Sequence, residues 1–267
     1  MRINREHVKN EFAAYTSLYN SNDEKIRLKI EHTYRVAEAA DRIARSLDLS
    51  DEDIDLAWLL GMLHDIGRFE QVKQYGTFLD SISVNHGELG ADILFKEGHI
   101  RDYVEESADD IVIEKAIRLH NIYILPDDLN EREELFAKLI RDADKVDIMK
   151  VCCEFSVRDA YEVSEEEFYQ SSISDLVIRD AMNTINVSRA HEKLPADKLV
   201  SHIALVFGLE FPESYTMVDE AGYVWEMLDT KSKNPDTAEK LKKLKKVVRK
   251  YVNEHKNDVV SDNRRLA

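Results

Sequence analysis

Glycine, proline and cysteine are scarce, at 8, 4 and 2 in 267 residues. So little turn chemistry excludes collagen-like and loop-rich folds, and the adjacent Cys152 and Cys153 cannot form a disulfide framework joining distant elements. Long apolar runs are missing too. The longest, Leu56 to Leu63, is far too short to cross a bilayer, and the opening residues Met1 to His7 hold no apolar signal core. The expectation is a cytoplasmic protein with reduced thiols and no membrane partner. Basic charge is also in short supply, since 37 Lys and Arg against 53 Asp and Glu give a net charge of −16. A field of that sign opposes adhesion to nucleic acid. Residues 240–250 concentrate seven basic groups and no acid, which leaves 30 basic against 53 acidic, or −23, on the rest. Leu241, Leu244, Val248 and Tyr251 run through that segment as an apolar stripe, so it reads as a docked amphipathic helix with a solvated lysine face. A chain this acidic needs a local cation if it handles phosphate esters.

What is present is helix-forming sequence. Hydrophobic residues make up 43% of the chain, enough to bury a core. Ser21/Glu24, Ser50/Asp53, Ser107/Asp110 and Ser164/Glu167 all have the spacing of a capping box, in which a hydroxyl and a carboxylate satisfy free N–H groups at a helix start. After Ser21, Ile26, Ile30, Ala37, Ala40, Ala44 and Leu47 form one helical face, and Ile54 to Leu63 is apolar nearly all round. Further helices are predicted near 84–97, 108–122, 131–153, 165–186, 196–208, 214–229 and 236–255. The fold class is therefore all-α. The organisation expected is an N-terminal helical arm over 1–20, a core over 21–155, and a C-terminal helical extension over 156–267 packed on that core. The extension could close a pocket or form a homodimer contact. Six of the eight glycines (Gly61, Gly67, Gly76, Gly87, Gly90, Gly98) gather between 61 and 98, marking where the packing is unusual.

Charged and ionisable residues sit on the apolar stripes. His32 flanks the face that carries Val36 and Ile43; His64 follows Ala57 and Leu60; His86 shares a face with Leu89, Gly90 and Ile93; His120 continues Ile113, Ala116 and Ile117. Asp144 lies between Ile140 and Ile148. A buried, unpaired carboxylate costs several kcal/mol, on the order of the penalty for any buried ion, so something positive must compensate it. One buried histidine alone is ordinarily a satisfied core residue. Four histidines and two aspartates (His32, His64, Asp65, His86, His120, Asp144) on the inner faces or ends of separate helices instead suit a metal site built of imidazole and carboxylate. The neighbours His64 and Asp65 offer a nitrogen and an oxygen ligand from one short segment, and the carboxylate can bridge two ions. His7, His99, His191 and His255 lack such a pattern and are expected in solvent; His202, beside Leu199 and Val206, reads as a core histidine.

With these residues in view, the sequence resembles the HD superfamily of metal-dependent phosphohydrolases. That family's helical His, then His-Asp, then distant Asp are matched by His32 in His-Thr-Tyr-Arg-Val, His64-Asp65 in Leu-Leu-Gly-Met-Leu-His-Asp-Ile-Gly, and Asp144 in Leu-Ile-Arg-Asp-Ala-Asp-Lys-Val-Asp. His86 in Asn-His-Gly-Glu-Leu-Gly and His120 in Ile-Arg-Leu-His-Asn fill the two further positions of members that hold two metals. The match covers about 25–150. It implies a phosphodiesterase-like helical bundle in which His32, His64, Asp65 and Asp144 take one divalent ion and Asp65, His86 and His120 a second, the ions being Fe, Mn, Zn, Ni, Co or Mg.

Two such ions can hold a hydroxide between them and polarise a phosphoryl oxygen. The function implied is hydrolysis of a phosphate ester or anhydride, of a nucleotide or another small phosphorylated substrate, by a metal-bridging hydroxide with Asp65 as the bridging catalytic group. Arg68, one turn after Asp65, is placed to meet a substrate phosphate, while an ion pair with Glu70 or Asp80 is equally compatible. Arg35 and Lys145 are weaker candidates, as support for the ligands or as surface charge, and Asp142 suits a role in orienting a ligand histidine. Tyr75, Thr77 and Asp80 lie on a loop that could border the pocket, although local turn chemistry with Gly76 at the bend is the plainer reading. Two other functions share the ligand set. HD-type di-iron oxygenases, which act on a polyol or a phosphonate, resemble it too, although the oxygenase pattern has Lys where this chain has Arg68. The other is a nucleotide-sensing module without turnover.

Overall fold

The computed structural model of the chain describes residues 3–20, 22–154, 156–161 and 163–257. Among these residues all regular structure is helical and no strand occurs, in agreement with the all-α expectation. The chain divides into two compact units, Met1–Asp144 and Lys145–Ala267. That division falls inside one long helix, ahead of the boundary that composition suggests near 155.

The first unit contains α1 (Arg5–Thr16), α2 (Glu24–Ser46), α3 (Asp51–Leu63), α4 (Ile66–Tyr75), α5 (His86–Ala91) continued by a π-helical turn (Asp92–Lys96), α6 (Ile100–Tyr103), α7 (Asp110–Leu119) and the first part of α8 (Glu131–Glu154). Helix α1 is no loose arm. It buries Val8, Phe12 and Thr16, sets Phe12 edge-on to Phe69 at 5.8 Å, and its Tyr15 hydroxyl donates to the Ile66 carbonyl at the start of α4. Helices α2 and α3 approach so closely that a Cβ on Gly61 would lie 2.3 Å from the Ala37 Cα. At the next crossing, a Cβ on Gly67 of α4 would lie 2.4 Å from the His86 carbonyl oxygen of α5. These contacts explain Gly61 and Gly67, because no side chain fits where one backbone lies on another, whereas Gly76 and Gly98 take positive φ of 68° and 88° at turns.

Helix starts follow the predicted chemistry in part. Ser50 accepts from the Asp53 N–H, and Ser164 with Glu167 forms the reciprocal capping box. Ser21 lies outside the described residues, and the α2 cap is Asp23, which accepts from the Lys25 N–H at 2.9 Å. At α7 the N-cap position belongs to Asp109, and Ser107 contributes only its carbonyl, to the Asp110 N–H.

The second unit holds the rest of α8, then α9 (Val157–Tyr161), α10 (Glu165–Gln170), α11 (Asp175–Met182), α12 (Pro195–Ala204), α13 (Pro212–Ala221), α14 (Tyr223–Leu228) and α15 (Pro235–His255), around a core that includes Met149, Tyr161, Phe168, Val177, Val200 and Leu244. The single helix expected over 165–186 is broken at 171–174. There the buried Asp197 accepts from both the Ser174 N–H (2.7 Å) and its hydroxyl (2.6 Å), holding the serines out of a helix. The stretch 214–229 is likewise divided, by Gly222 at φ 79°. Helix α15 is the amphipathic helix expected, with Leu241, Leu244 and Val248 buried; Val252 takes the fourth buried place and Tyr251 is half-buried. Its cations are engaged within the unit, Lys245 with Asp229 at 2.6 Å and Arg249 over the Trp225 ring. No helix among the described residues is long and apolar enough to cross a membrane.

Candidate metal centre

Six elements deliver the six residues singled out from the sequence. His32 comes from the middle of α2, His64 caps the C-terminus of α3, Asp65 stands at the N-cap of α4, His86 opens α5, His120 caps the C-terminus of α7, and Asp144 lies on α8. His32, His64, Asp65, His86 and His120 are buried, whereas the Asp144 side chain keeps 21% of its surface exposed.

Asp65 stands between two pairs of imidazoles. Its Oδ2 is 3.5 Å from Nε2 of both His32 and His64, and its Oδ1 is 3.4 Å from Nε2 of His86 and 3.7 Å from Nε2 of His120. Asp144 Oδ1 joins the first pair, 3.2 Å from His32 and 3.8 Å from His64. Within the pairs, the Nε2 atoms are 3.3 Å apart for His32 and His64 and 2.9 Å for His86 and His120. Donors bound at about 2.1 Å to one ion sit roughly 3.0–3.4 Å from each other, and the separations here, 2.9–3.8 Å, bracket that range.

The protonation pattern points the same way. His64 Nδ1 lies 2.8 Å from the Gly61 carbonyl, His120 Nδ1 2.7 Å from the Ile117 carbonyl, and His86 Nδ1 2.7 Å from Asp80 Oδ2. Carbonyl and carboxylate oxygens only accept, so each Nδ1 carries the proton and each Nε2 turns a lone pair inward. Burial, reinforced by the Arg68 charge, pushes His86 down to about 3, and burial likewise lowers His64, so both imidazoles stay neutral. Lone pairs facing each other at 2.9 Å repel unless a cation lies between them. Burial works against the charged forms of Asp65 and Asp144, yet the Lys29 charge beside Asp65 and the His32 bond to Asp144 outweigh it, and both carboxyls sit below the usual range. The arrangement can therefore hold a metal ion at each of two groups, His32, His64 and Asp65, and Asp65, His86 and His120.

The surroundings add residues that the sequence reading missed or left open. Lys29, buried one turn before His32, places Nζ 2.6 Å from Asp65 Oδ2. Its signal was a lysine three residues after Ile26 and three before His32, on the inner face of α2. Asp80 holds His86, and it also accepts from Arg68 Nη1 at 2.8 Å and Gln71 Nε2 at 2.9 Å, while Asn121 reaches its Oδ2 at 3.1 Å. Arg68 makes the ion pair with Asp80, one of the two roles expected of it. Nη1 is tied to Asp80, Gln71 and the Phe78 carbonyl, and Nε faces Asp65 Oδ1 at 3.6 Å.

The weaker candidates have contacts of their own. Arg35 meets Glu31 at 3.9 Å, Lys145 donates to the Gly208 carbonyl within the second unit, and Asp142 is fully buried on α8. Tyr75 is exposed at the end of α4, and Thr77 accepts from the Leu79 N–H in the loop. His7 and His99 are exposed as expected, but His191 pairs with Asp180 at 2.8 Å and His255 stacks on the Tyr251 ring at 3.9 Å, both half-buried. His202 Nδ1 lies 3.2 Å from the Cys152 sulfur inside the second unit, a core role.

Residues 30–149 match the HD domain family, a span that takes in all six residues. No curated protein and no solved structure matches the chain.

Proposed function

Because residues 30–149 are an HD domain, we propose that the chain is a metal-dependent phosphohydrolase acting on a small phosphate ester or anhydride, with nucleotides as the substrate class. The observation that carries this reading is Asp65, each of whose oxygens faces Nε2 of a different pair of imidazoles. His32, His64, Asp65 and Asp144 would hold one divalent ion and Asp65, His86 and His120 a second. Ions so held supply Lewis-acid polarisation of a phosphoryl oxygen and make water a nucleophile at neutral pH.

The chain's own residues do the rest. His64, His120 and His86 turn Nε2 inward because the Gly61 and Ile117 carbonyls and Asp80 hold the Nδ1–H. Gly61 and Gly67 let the supporting helices meet closely enough to bring the ligands together. Arg68, fixed through Nη1, presents its Nε edge beside Asp65, where it can orient a phosphate oxygen.

Purified protein analysed for metal content, then assayed with mono-, di- and cyclic nucleotides, tests the proposal. Phosphate release with at least one of Mn, Fe, Co, Ni, Zn or Mg is expected. Failure with every one of these metals, together with oxygen uptake in the presence of iron and a polyol or phosphonate, would replace the hydrolase by a di-iron oxygenase. Nucleotide binding without turnover would leave a sensor.

A further inference from the structure

Two cations of the pocket are only half used. Lys29 is buried, and of its three N–H groups one goes to Asp65 Oδ2 while the Phe78 ring faces the ammonium at 5.6 Å. The other two have no acceptor among the described residues. Arg68 lies over the same ring, 5.5 Å from its centroid. Its Nη1 is crowded by three acceptors, but Nε is buried with no hydrogen-bond partner. In a guanidinium, Nε–H and one Nη2–H point from the same edge, the edge that grips two oxygens of an anion side-on. Leaving buried N–H donors unpaired costs about 1–3 kcal/mol each, a penalty expected where a ligand supplies the acceptors.

We infer that Lys29 and Arg68 form a seat for a terminal phosphoryl group beside Asp65, and that the substrates are phosphomonoesters or terminal phosphoanhydrides rather than diesters. The inference rests on the phosphohydrolase reading and narrows it. A terminal phosphoryl group carries three non-bridging oxygens and a double negative charge. One oxygen can face the imidazole and carboxylate side, one the ammonium and one the guanidinium edge. A diester has two such oxygens and one charge, and cannot serve all three directions. Lys29 and Arg68 face the carboxylates of Asp65 and Asp80, and Asp144 lies beside the same imidazoles, so the carboxylates outnumber the two cations and an anion gains nothing by entering until a divalent cation has done so.

The test is direct binding rather than turnover. Protein loaded with Zn²⁺ or Mg²⁺ is titrated calorimetrically with inorganic phosphate and, separately, with dimethyl phosphate. Phosphate should bind at least about tenfold more tightly, and Lys29→Gln should weaken phosphate by about tenfold while moving dimethyl phosphate by less than about threefold. Lys29→Arg, which keeps the charge, should restore most of the loss. Equal phosphate affinity in wild type and Lys29→Gln at equal metal content overturns the seat, as does undiminished phosphate binding after chelation. If Lys29→Gln does not fold, the unmodified protein still decides. The Arg68 Nε–H proton resonance, assigned by its loss in Arg68→Lys, should move downfield with phosphate and stay in place with dimethyl phosphate; a resonance indifferent to phosphate overturns the inference. Phosphate binding through Lys29 without hydrolysis of any nucleotide would leave the seat and remove the hydrolase. Hydrolysis with phosphate binding indifferent to Lys29 would do the reverse.

Discussion

Asp65 holds together three kinds of partner, with Lys29 on one oxygen, Arg68 near the other, and two imidazoles facing each. Replacing it by alanine should abolish binding of both metals, since it belongs to both groups, and elemental analysis of the purified variant reads the outcome. Retention of two ions per chain would refute the shared role. The substitution also strands the buried Lys29 ammonium, a loss on the order of 3–5 kcal/mol when one partner of a buried pair is removed, so a large fall in the urea midpoint of the metal-free variant is expected as well. Asp80 acts one step further out. Asp80→Asn replaces an acceptor for the His86 Nδ1–H by a group that can present a donor there, and should weaken the ion held by His86 and His120 by roughly 10–100-fold, the usual range for partners behind a metal ligand. Competition with a chelator of known affinity should show one weakened site and one unchanged site. Two unchanged sites would make Asp80 a loop anchor only.

At the scale of the element, the site depends on how closely the helices cross. Gly61→Ala puts a methyl group 2.3 Å from the Ala37 Cα, a backbone atom with no rotamer to yield, so α2 and α3 must move apart. Overpacking of this kind costs about 1–3 kcal/mol, and because His32 and His64 ride on those two helices the metal affinity should fall with the stability. Urea unfolding and metal titration of the variant check both; a loss of stability at full metal affinity would separate the crossing from the site. The same scale explains what could be read from the chain. His32, His86, His120 and Asp144 were legible because each interrupts an apolar stripe whose helical period is local. Lys29 was not, because a lysine on a helix reads as solvated until Asp65, 36 residues away, is brought to 2.6 Å. Asp80 lies in a loop, where spacing carries no information on direction, and only the fold turns it to His86. The missed helix break at 171–174 has the same origin, since the groups that hold Ser174 are on Asp197.

For the whole molecule, the two compact units carry different levers. The second contains His202, which burial, with the charges of Arg189 and Lys198, pushes down to about 4, and Cys152, whose thiol burial raises to about 12. Both groups are therefore neutral at pH 7, with the Cys152 sulfur 3.2 Å from Nδ1. A folded value below the unfolded one of about 6.5 means that the unfolded chain binds the proton more readily between pH 6.5 and 4. The stability contributed is complete above that window and is lost as pH falls through it. In His202→Gln the drop in unfolding free energy between pH 7 and 5 should be smaller than in wild type by on the order of 1 kcal/mol. Equal slopes would mean that His202 is solvated. The first unit responds instead to metal, because all six candidate ligands lie between Met1 and Asp144. A ligand that binds only the folded state adds about 2.7 kcal/mol at a hundredfold excess over its Kd. Calorimetry of metal-free and metal-loaded protein should therefore show the transition of residues 1–144 moving up in temperature with divalent metal, while that of the second unit stays in place and keeps its dependence on His202. Proteolysis during heating assigns the transitions, since cleavage at low temperature should lose its metal sensitivity only for peptides from the second unit. A single transition that moves as one with metal would mean instead that the helix Glu131–Glu154, which runs across the division, makes the chain one cooperative body.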